Sequence, residues 1–311
     1  MKYLKGLSFL FLGLWLVAGC NKRESTRPVV ELPDSSRIKV EKIGEDATFE
    51  LVCWNIENYP KLGTTTITDV TEIIRDLDVD VIAMEEIADT SAFRQLLNNL
   101  PEYAGIYSHD TYGSGSYQKT AVIYRKSMVT LLDHEQIFWG DSYSFPRPPL
   151  KVTLAAQRNG KTFDFNLIVL HLKASGGSEN EARRRSAIQK LKNYLDTQIA
   201  AGAENDYIVV GDWNDVLDDP PSVNVFTALL NDSANYRFLT KELANNPQSN
   251  ATYIGGSYRS VIDHIMISSD AETEYSGGFT RVIKIDESFN AYVNEVSDHR
   301  PVVAVFPVFV N

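Results

Sequence analysis

Apolar and polar positions follow two alternating periods along most of the chain. TFELVCWN (48–55) alternates and is rich in β-formers, VDVIAME (79–85) is a short continuous apolar run, and KTAVIYRK (119–126) is again strand text. The segment 151–172, KVTLAAQRNGKTFDFNLIVLHL, reads as two strands, with Asn159-Gly160 between them as a hairpin signal. YIVVGDWN, SVIDHIMIS and RPVVAVFPV complete the predicted strands. Between them lie runs with apolar residues at helical spacing: TITDVTEIIRDLDVD, SAFRQLLNNL with Ser91 as candidate cap and Pro101 just past its end, and a long helix from Glu179 to Gln198. Many short strands, several joined by hairpins and several followed by helices, predict two packed β-sheets covered by helices.

The apolar strands end on polar residues. TFELVCWNIEN reaches Asn55, VDVIAMEEI reaches Glu85 and Glu86, FNLIVLHLK reaches His171, and IVVGDWND delivers Asp212 and Asn214; Ser297-Asp298-His299 precedes the last strand. One polar residue at a strand end is commonly a turn-former. Five such clusters point to a shared site. Side chains two apart on an extended chain point the same way, so Asp212 and Asn214 face one space with Trp213 packed behind, and Asp215 reads as a turn or cap residue. An oxygen-rich site of this kind suits Mg²⁺, with Mn²⁺ or Ca²⁺ as alternatives. A calcium loop starting at Asp212 fails on spacing, because Leu217 stands where Gly is needed and Val223 where Glu is needed.

The first residues differ from the rest. A basic MKYLK, the apolar run GLSFLFLGLWLVA and small residues read as an export signal over 1–19. Its end, Leu16-Val17-Ala18-Gly19-Cys20, resembles the lipobox of bacterial lipoproteins, which implies lipidation at Cys20, a membrane anchor, and a place in the bacterial cell envelope. Asn21 after the cysteine leans to the outer membrane. Residues 20–45, charged and rich in Ser and Pro without periodicity, read as a tether, and the folded domain is expected over 46–311. Only Cys53 then remains, inside a strand, as a small buried hydrophobe. With 43% hydrophobic and 23% charged residues this is globular composition. The formal net charge of −11 argues against broad phosphate neutralisation as a binding mode, yet leaves room for an acidic enzyme that meets phosphate through a divalent cation and local basic residues.

Other catalytic patterns are absent or broken. There is no G-x-S-x-G elbow, His134-Glu135 lacks the second His of a zinc-protease helix, and Gly160-Lys161-Thr162 lacks the upstream Gly of a phosphate loop. His109 and His134 fall in expected loops, and His264 faces away from its neighbour Asp263; all three read as structural or surface residues. Arg183 to Arg185 cannot all point to one ligand from a helix, so a solvated face competes with phosphate contact.

The ordered set WNIEN, IAMEEI, KTAVIYR, LIVLHLKA, VVGDWND, SVIDHIMIS and SDHRPVVA, from about residue 48 to 308, resembles the endonuclease/exonuclease/phosphatase superfamily with its DNase I-like fold. The resemblance implies a four-layer α/β/β/α sandwich, two packed mixed β-sheets flanked by helices, with the site at one edge. It assigns Asn55, Glu86 and Asp298 to the metal and Asp212 and Asn214 to the attacking water and scissile phosphate. It makes His171 and His299 the two catalytic imidazoles, with Asp263 orienting the second. Glu85 stands where Gln is usual. Gln118 stands where nucleases most like DNase I have a Glu supporting the first histidine. Arg147, in SFPRPPL, resembles a segment of secreted nucleases, and with Lys173 and Gln118 it is a candidate for phosphate contact.

These residue types match phosphodiester hydrolysis, which needs an activated water, neutralised phosphate charge and help for the leaving alkoxide. The leading expectation is a Mg²⁺-dependent nuclease on DNA or RNA in the cell envelope. A phosphatase or phospholipase C-like enzyme on a phospholipid headgroup or sugar phosphate is the second, and a noncatalytic binding lipoprotein the third. No protein partner is implied.

Overall fold

The computed structural model describes residues 37–202 and 204–310. The expected signal segment, Cys20 and most of the expected tether lie outside these residues. Among the described residues no helix is long and apolar enough to cross a membrane.

Among the described residues, twelve strands form two six-stranded sheets. The first sheet contains β1 (Phe49–Tyr59), β2 (Val81–Ile87), β3 (Tyr103–Tyr107), β4 (Lys119–Arg125), β11 (Phe279–Val282) and β12 (Val302–Phe306), in the order β11-β12-β1-β2-β4-β3. The second contains β5 (Val129–Gln136), β6 (Leu150–Arg158), β7 (Lys161–His171), β8 (Tyr207–Asp212), β9 (Tyr236–Phe238) and β10 (Asp263–Ser268), in the order β5-β6-β7-β8-β10-β9. Each sheet is mixed: β1 runs parallel to β2 and β7 parallel to β8, while the other pairs are antiparallel. The helices α1 (Thr64–Leu77) and α2 (Thr90–Asn99) accompany the first sheet and α3 (Ser178–Ala201) the second.

Alternation along the strands divides the core into three layers of contact. Leu51, Cys53, Val81 and Ala83 of the first sheet meet Leu167, Val169, Ile208, Val210, Ile265 and Ile267 of the second. The opposite face of the first sheet, with Val52, Trp54, Ile82 and Met84, packs on Ile67, Val70, Ile74 and Phe93. The outer face of the second, with Ile168, Leu170 and Val209, packs on Ala187, Ile188, Leu191 and Leu195 of α3. These contacts define the four-layer α/β/β/α sandwich, with one buried strand face per neighbour.

Asn159 and Gly160 carry φ of 55° and 77°, the left-handed pair of a tight hairpin between β6 and β7. The cap of α2 is Asp89 rather than Ser91: its carboxylate accepts the backbone N–H groups of Ser91 and Ala92 at 2.7 and 3.2 Å. Residues 37–45, expected as tether, pack on the body: Ile38 and Ile43 are buried, and Arg37 bonds Asp69 and Glu295. His134 lies in β5, an exposed edge strand, instead of a loop.

Candidate active site

The same alternation that builds the inter-sheet core positions the polar residues. Asn55 follows Leu51 and Cys53, Glu85 follows Val81 and Ala83, His171 follows Leu167 and Val169, Asp212 follows Ile208 and Val210, and Asp263 precedes Ile265 and Ile267. Five strands thus turn their last, or first, inward-facing residue into the seam between the sheets at one end. Asn55, Glu85, His171, Asp212, Asp263 and His299 are all buried. Glu86 breaks the alternation. The β1–β2 and β2–β4 registers shift next to it and its φ is 65°, which turns a second carboxylate toward the same place.

Asp212 is the hub. Its Oδ2 accepts the Asn55 side-chain amide at 3.0 Å and lies 3.5 Å from His171 Nε2 and 3.9 Å from His299 Nε2, while its Oδ1 accepts the backbone N–H of Asn214 at 2.9 Å. Glu86 closes the other side: its Oε1 lies 3.4 Å from Asn55 Nδ2 and 3.8 Å from His171 Nε2, and its Oε2 accepts the Asn58 backbone N–H at 2.9 Å. Asn214, at φ 55°, donates one of its two side-chain N–H groups to the Leu172 carbonyl at 3.3 Å. Behind it Trp213 is wholly buried against Phe226 and Phe238 and donates to the His264 carbonyl at 3.1 Å.

The two imidazoles have opposite electrostatics. His299 donates from Nδ1 to Asp263 Oδ2 at 2.8 Å, and its Nε2 lies 3.8 Å from Asp298 Oδ1. Burial pushes its pKa down, but Asp263, Asp212 and Asp298 overcome this and carry it to about 10, so the ring is cationic at neutral pH. Burial, helped by the charges of Arg147 and His299, drives His171 well below the usual histidine range, and its Nδ1 is buried without a hydrogen-bond partner. Burial and Asp263 raise Asp212 to about 7 against the opposing pull of His299. Asp298 rises to about 6, chiefly through burial, against the pull of His299.

Burial, with the charges of Asp263 and Asp212, pushes the Glu85 pKa far above the usual carboxylate range and favours its protonated form. The Cys53 thiol faces it at 3.9 Å and is itself pushed up by burial, in keeping with an inert cysteine.

Gln118 does not support His171. Its Oε1 accepts Arg147 Nη2 at 2.6 Å and the Tyr112 hydroxyl at 3.2 Å, and its Nε2 donates to Asn58 Oδ1 at 2.6 Å. Lys173 directs its ammonium to the Ala174 carbonyl at 3.0 Å. The three consecutive arginines each pin a loop: Arg183 to the Ser142 and Tyr143 carbonyls, Arg184 to Asp215, Lys173 and Ser175, and Arg185 to the Val223 and Asn224 carbonyls. His264, buried between Thr240 and the Asp215 carbonyl, is structural as expected.

Two contributors escaped sequence reasoning. The Tyr253 ring packs on His299 with centroids 5.0 Å apart, and Thr252 Oγ1 accepts the backbone N–H groups of Ile262 and Asp263 at 3.1 Å. Neither has a sequence signal beyond a short turn between longer motifs.

The donor set fits a divalent cation. Asp212, Asp263 and His299 offer ligand atoms within 4.8 Å of one another. Because His299 and Asp263 already bond each other and Asp212 faces both imidazoles, the oxygens of Glu86, beside the Asn55 amide, are the ones suited to hold a hard ion. Burial first, and Asp263 second, raise the Asp212 pKa, and a bound cation nearby would draw it down again.

A four-layer sandwich with carboxylates, an amide and two imidazoles at one end of its inter-sheet seam defines a metal-dependent phosphoester hydrolase. The chain belongs to the Endonuclease/Exonuclease/phosphatase family, whose sequence model matches residues 52–299. No curated protein matches it. Among solved structures it is similar to TDP2 of D. rerio complexed with single strand DNA product, at 17% identity and TM-score 0.60 over 84% of this chain and 99% of that one. The human Nocturnin catalytic domain with bound sulfate aligns at 21% identity and TM-score 0.58, over 85% of this chain and 96% of that one. The Bacteroides thetaiotaomicron mannosyl-6-phosphatase aligns at 14% and 0.59, over 82% of this chain and 98% of that one. At these identities the likeness is one of fold.

Proposed function

We propose that this enzyme is a Mg²⁺-dependent nuclease of the bacterial cell envelope, lipid-anchored through Cys20 and favouring the outer membrane, that cleaves phosphodiester bonds of DNA or RNA. The observation that carries the reading is Asp212 set between two imidazoles of opposite charge, 3.5 Å from neutral His171 and 3.9 Å from cationic His299. A sugar alkoxide is a poor leaving group and needs a proton. His299, held cationic by Asp263, is the group to give it. Asp212 takes or orients the proton of the attacking water, and the Asn214 amide orients the phosphate. A bound Mg²⁺ would supply neutralisation of the phosphate charge.

Exposed aromatics support a nucleic-acid substrate. Tyr258 is 70% exposed in the turn after Tyr253, whose ring covers His299, and half-exposed Tyr143 lies under the Arg183 guanidinium at 5.5 Å. Such rings give bases a stacking surface.

A phosphatase or phospholipase C-like activity on a sugar phosphate or phospholipid headgroup is the second reading. It is favoured by Arg147, whose partner Gln118 is neutral and leaves its charge free for a phosphate of higher charge. Residues 24–311 incubated with supercoiled plasmid, RNA, phospholipid vesicles and mannose 6-phosphate, with Mg²⁺ and with chelator, separate the readings. The nuclease gives nicked plasmid or shortened RNA that disappears in chelator. Phosphate or headgroup release with intact nucleic acid sinks it.

A further inference from the structure

Gln118 uses both ends of its amide. The oxygen holds Arg147 and Tyr112, and the nitrogen holds Asn58, whose own backbone N–H holds Glu86. A chain of hydrogen bonds therefore runs from Arg147 through Gln118 and Asn58 to a carboxylate of the metal side. Arg147 is fixed at a second point, where Nη1 reaches the Leu172 carbonyl at 3.4 Å, the same carbonyl that Asn214 uses. Its Nε is buried with no acceptor. That bond to the Leu172 carbonyl sets the guanidinium against the residue that directly follows His171. Among the described residues no carboxylate forms an ion pair with Arg147.

We propose that Gln118 is the positioning residue of Arg147: its amide orients the guanidinium beside His171 and leaves the positive charge uncompensated for a phosphate group of the substrate. The inference deepens the phosphoester-hydrolase reading and rests on it. A carboxylate at 118 would bind the same N–H as a charge-assisted pair and cancel much of the field at the phosphate. An amide gives the same orientation without that loss. In a chain of net charge −11, a guanidinium with no carboxylate partner beside the site raises the affinity for an anion there.

The test compares the whole protein with Gln118→Glu, Gln118→Ala, Arg147→Ala and the Gln118→Glu/Arg147→Ala double variant. Binding of inorganic phosphate is followed by calorimetry in Mg²⁺, and KM and kcat are measured on the best substrate, with thermal melting as a check of folding. Gln118→Glu is expected to weaken phosphate binding and raise KM about tenfold, with a smaller change in kcat. Gln118→Ala, which frees Arg147 without neutralising it, loses less. Once Arg147 is gone, Gln118→Glu should add no further loss. Wild-type phosphate affinity in a folded Gln118→Glu, or a loss that adds in full to that of Arg147→Ala, overturns the proposal. So does a fall in kcat with phosphate affinity kept, which would place residue 118 on His171. If the wild type neither binds phosphate nor cleaves any ester, the hydrolase reading fails with it; if esters are cleaved but Gln118→Glu behaves as wild type, only this proposal fails.

Discussion

Asp212 is pulled in two directions. Burial and Asp263 push its pKa up to about 7, while the His299 cation and the Asn214 N–H pull it down, so its proton leaves near neutrality. A group that takes the proton of water works deprotonated, so activity rises with pH through about 7. A bound cation favours the carboxylate and moves this limb lower. His299 gives its proton to the leaving oxygen, so activity falls as pH passes about 10. The profile of kcat/KM against pH is expected to be a bell with these two limbs, and His299→Gln to lose the alkaline limb and lower kcat by about 10²- to 10⁴-fold. An alkaline limb that survives His299→Gln would remove His299 from that role. Most of these residues were legible in the sequence because they close apolar strands. What Gln118 touches was not: its partners Arg147, Tyr112 and Asn58 come from three separate segments, and no spacing connects them.

At the scale of elements, the site depends on β7 and β8 lying close enough for His171 and Asp212 to stand side by side in the parallel register. Gly211, at φ 147°, makes this possible: a Cβ there would meet the Leu170 carbonyl oxygen at 1.9 Å. Gly211→Ala is expected to cost about 3 kcal/mol by forcing the strands apart. Chemical denaturation measures it, and wild-type stability would show that the approach is not constrained as described. The central strands were legible because both faces are buried and their text is continuous. The edges were not. β5, VTLLDHEQ, carries charges on an exposed border, and β9 has only three residues, so neither presents an apolar period. The arginine triplet of α3 also misled, since sequence gives a helix face but not the loops that lie across it. Arg184 is buried and holds Asp215 at 2.8 Å, which keeps the loop after Asp212 in place.

Across the whole molecule, three apolar contacts hold four layers together, and the middle one becomes polar at one end. Period-two alternation shows that each strand has two faces; it does not say which one meets the other sheet. The polar strand ends reveal it, because Asn55, Glu85, His171, Asp212 and Asp263 all share a face with the inter-sheet core. The packing of residues 37–45 was hidden for a different reason: Ile38 and Ile43 are two apolar residues in charged text, too few for a period. The central claim is that this buried end, with Asp212 at its hub, performs metal-dependent phosphoester hydrolysis. The direct test is the rate of Mg²⁺-dependent cleavage of the best substrate by wild type and by Asp212→Asn at pH 8, with melting temperatures matched. A loss of about 10³-fold or more in the folded variant, and no wild-type cleavage in chelator, is the expected result. Cleavage by Asp212→Asn at the wild-type rate, or wild-type cleavage indifferent to chelator, would contradict it.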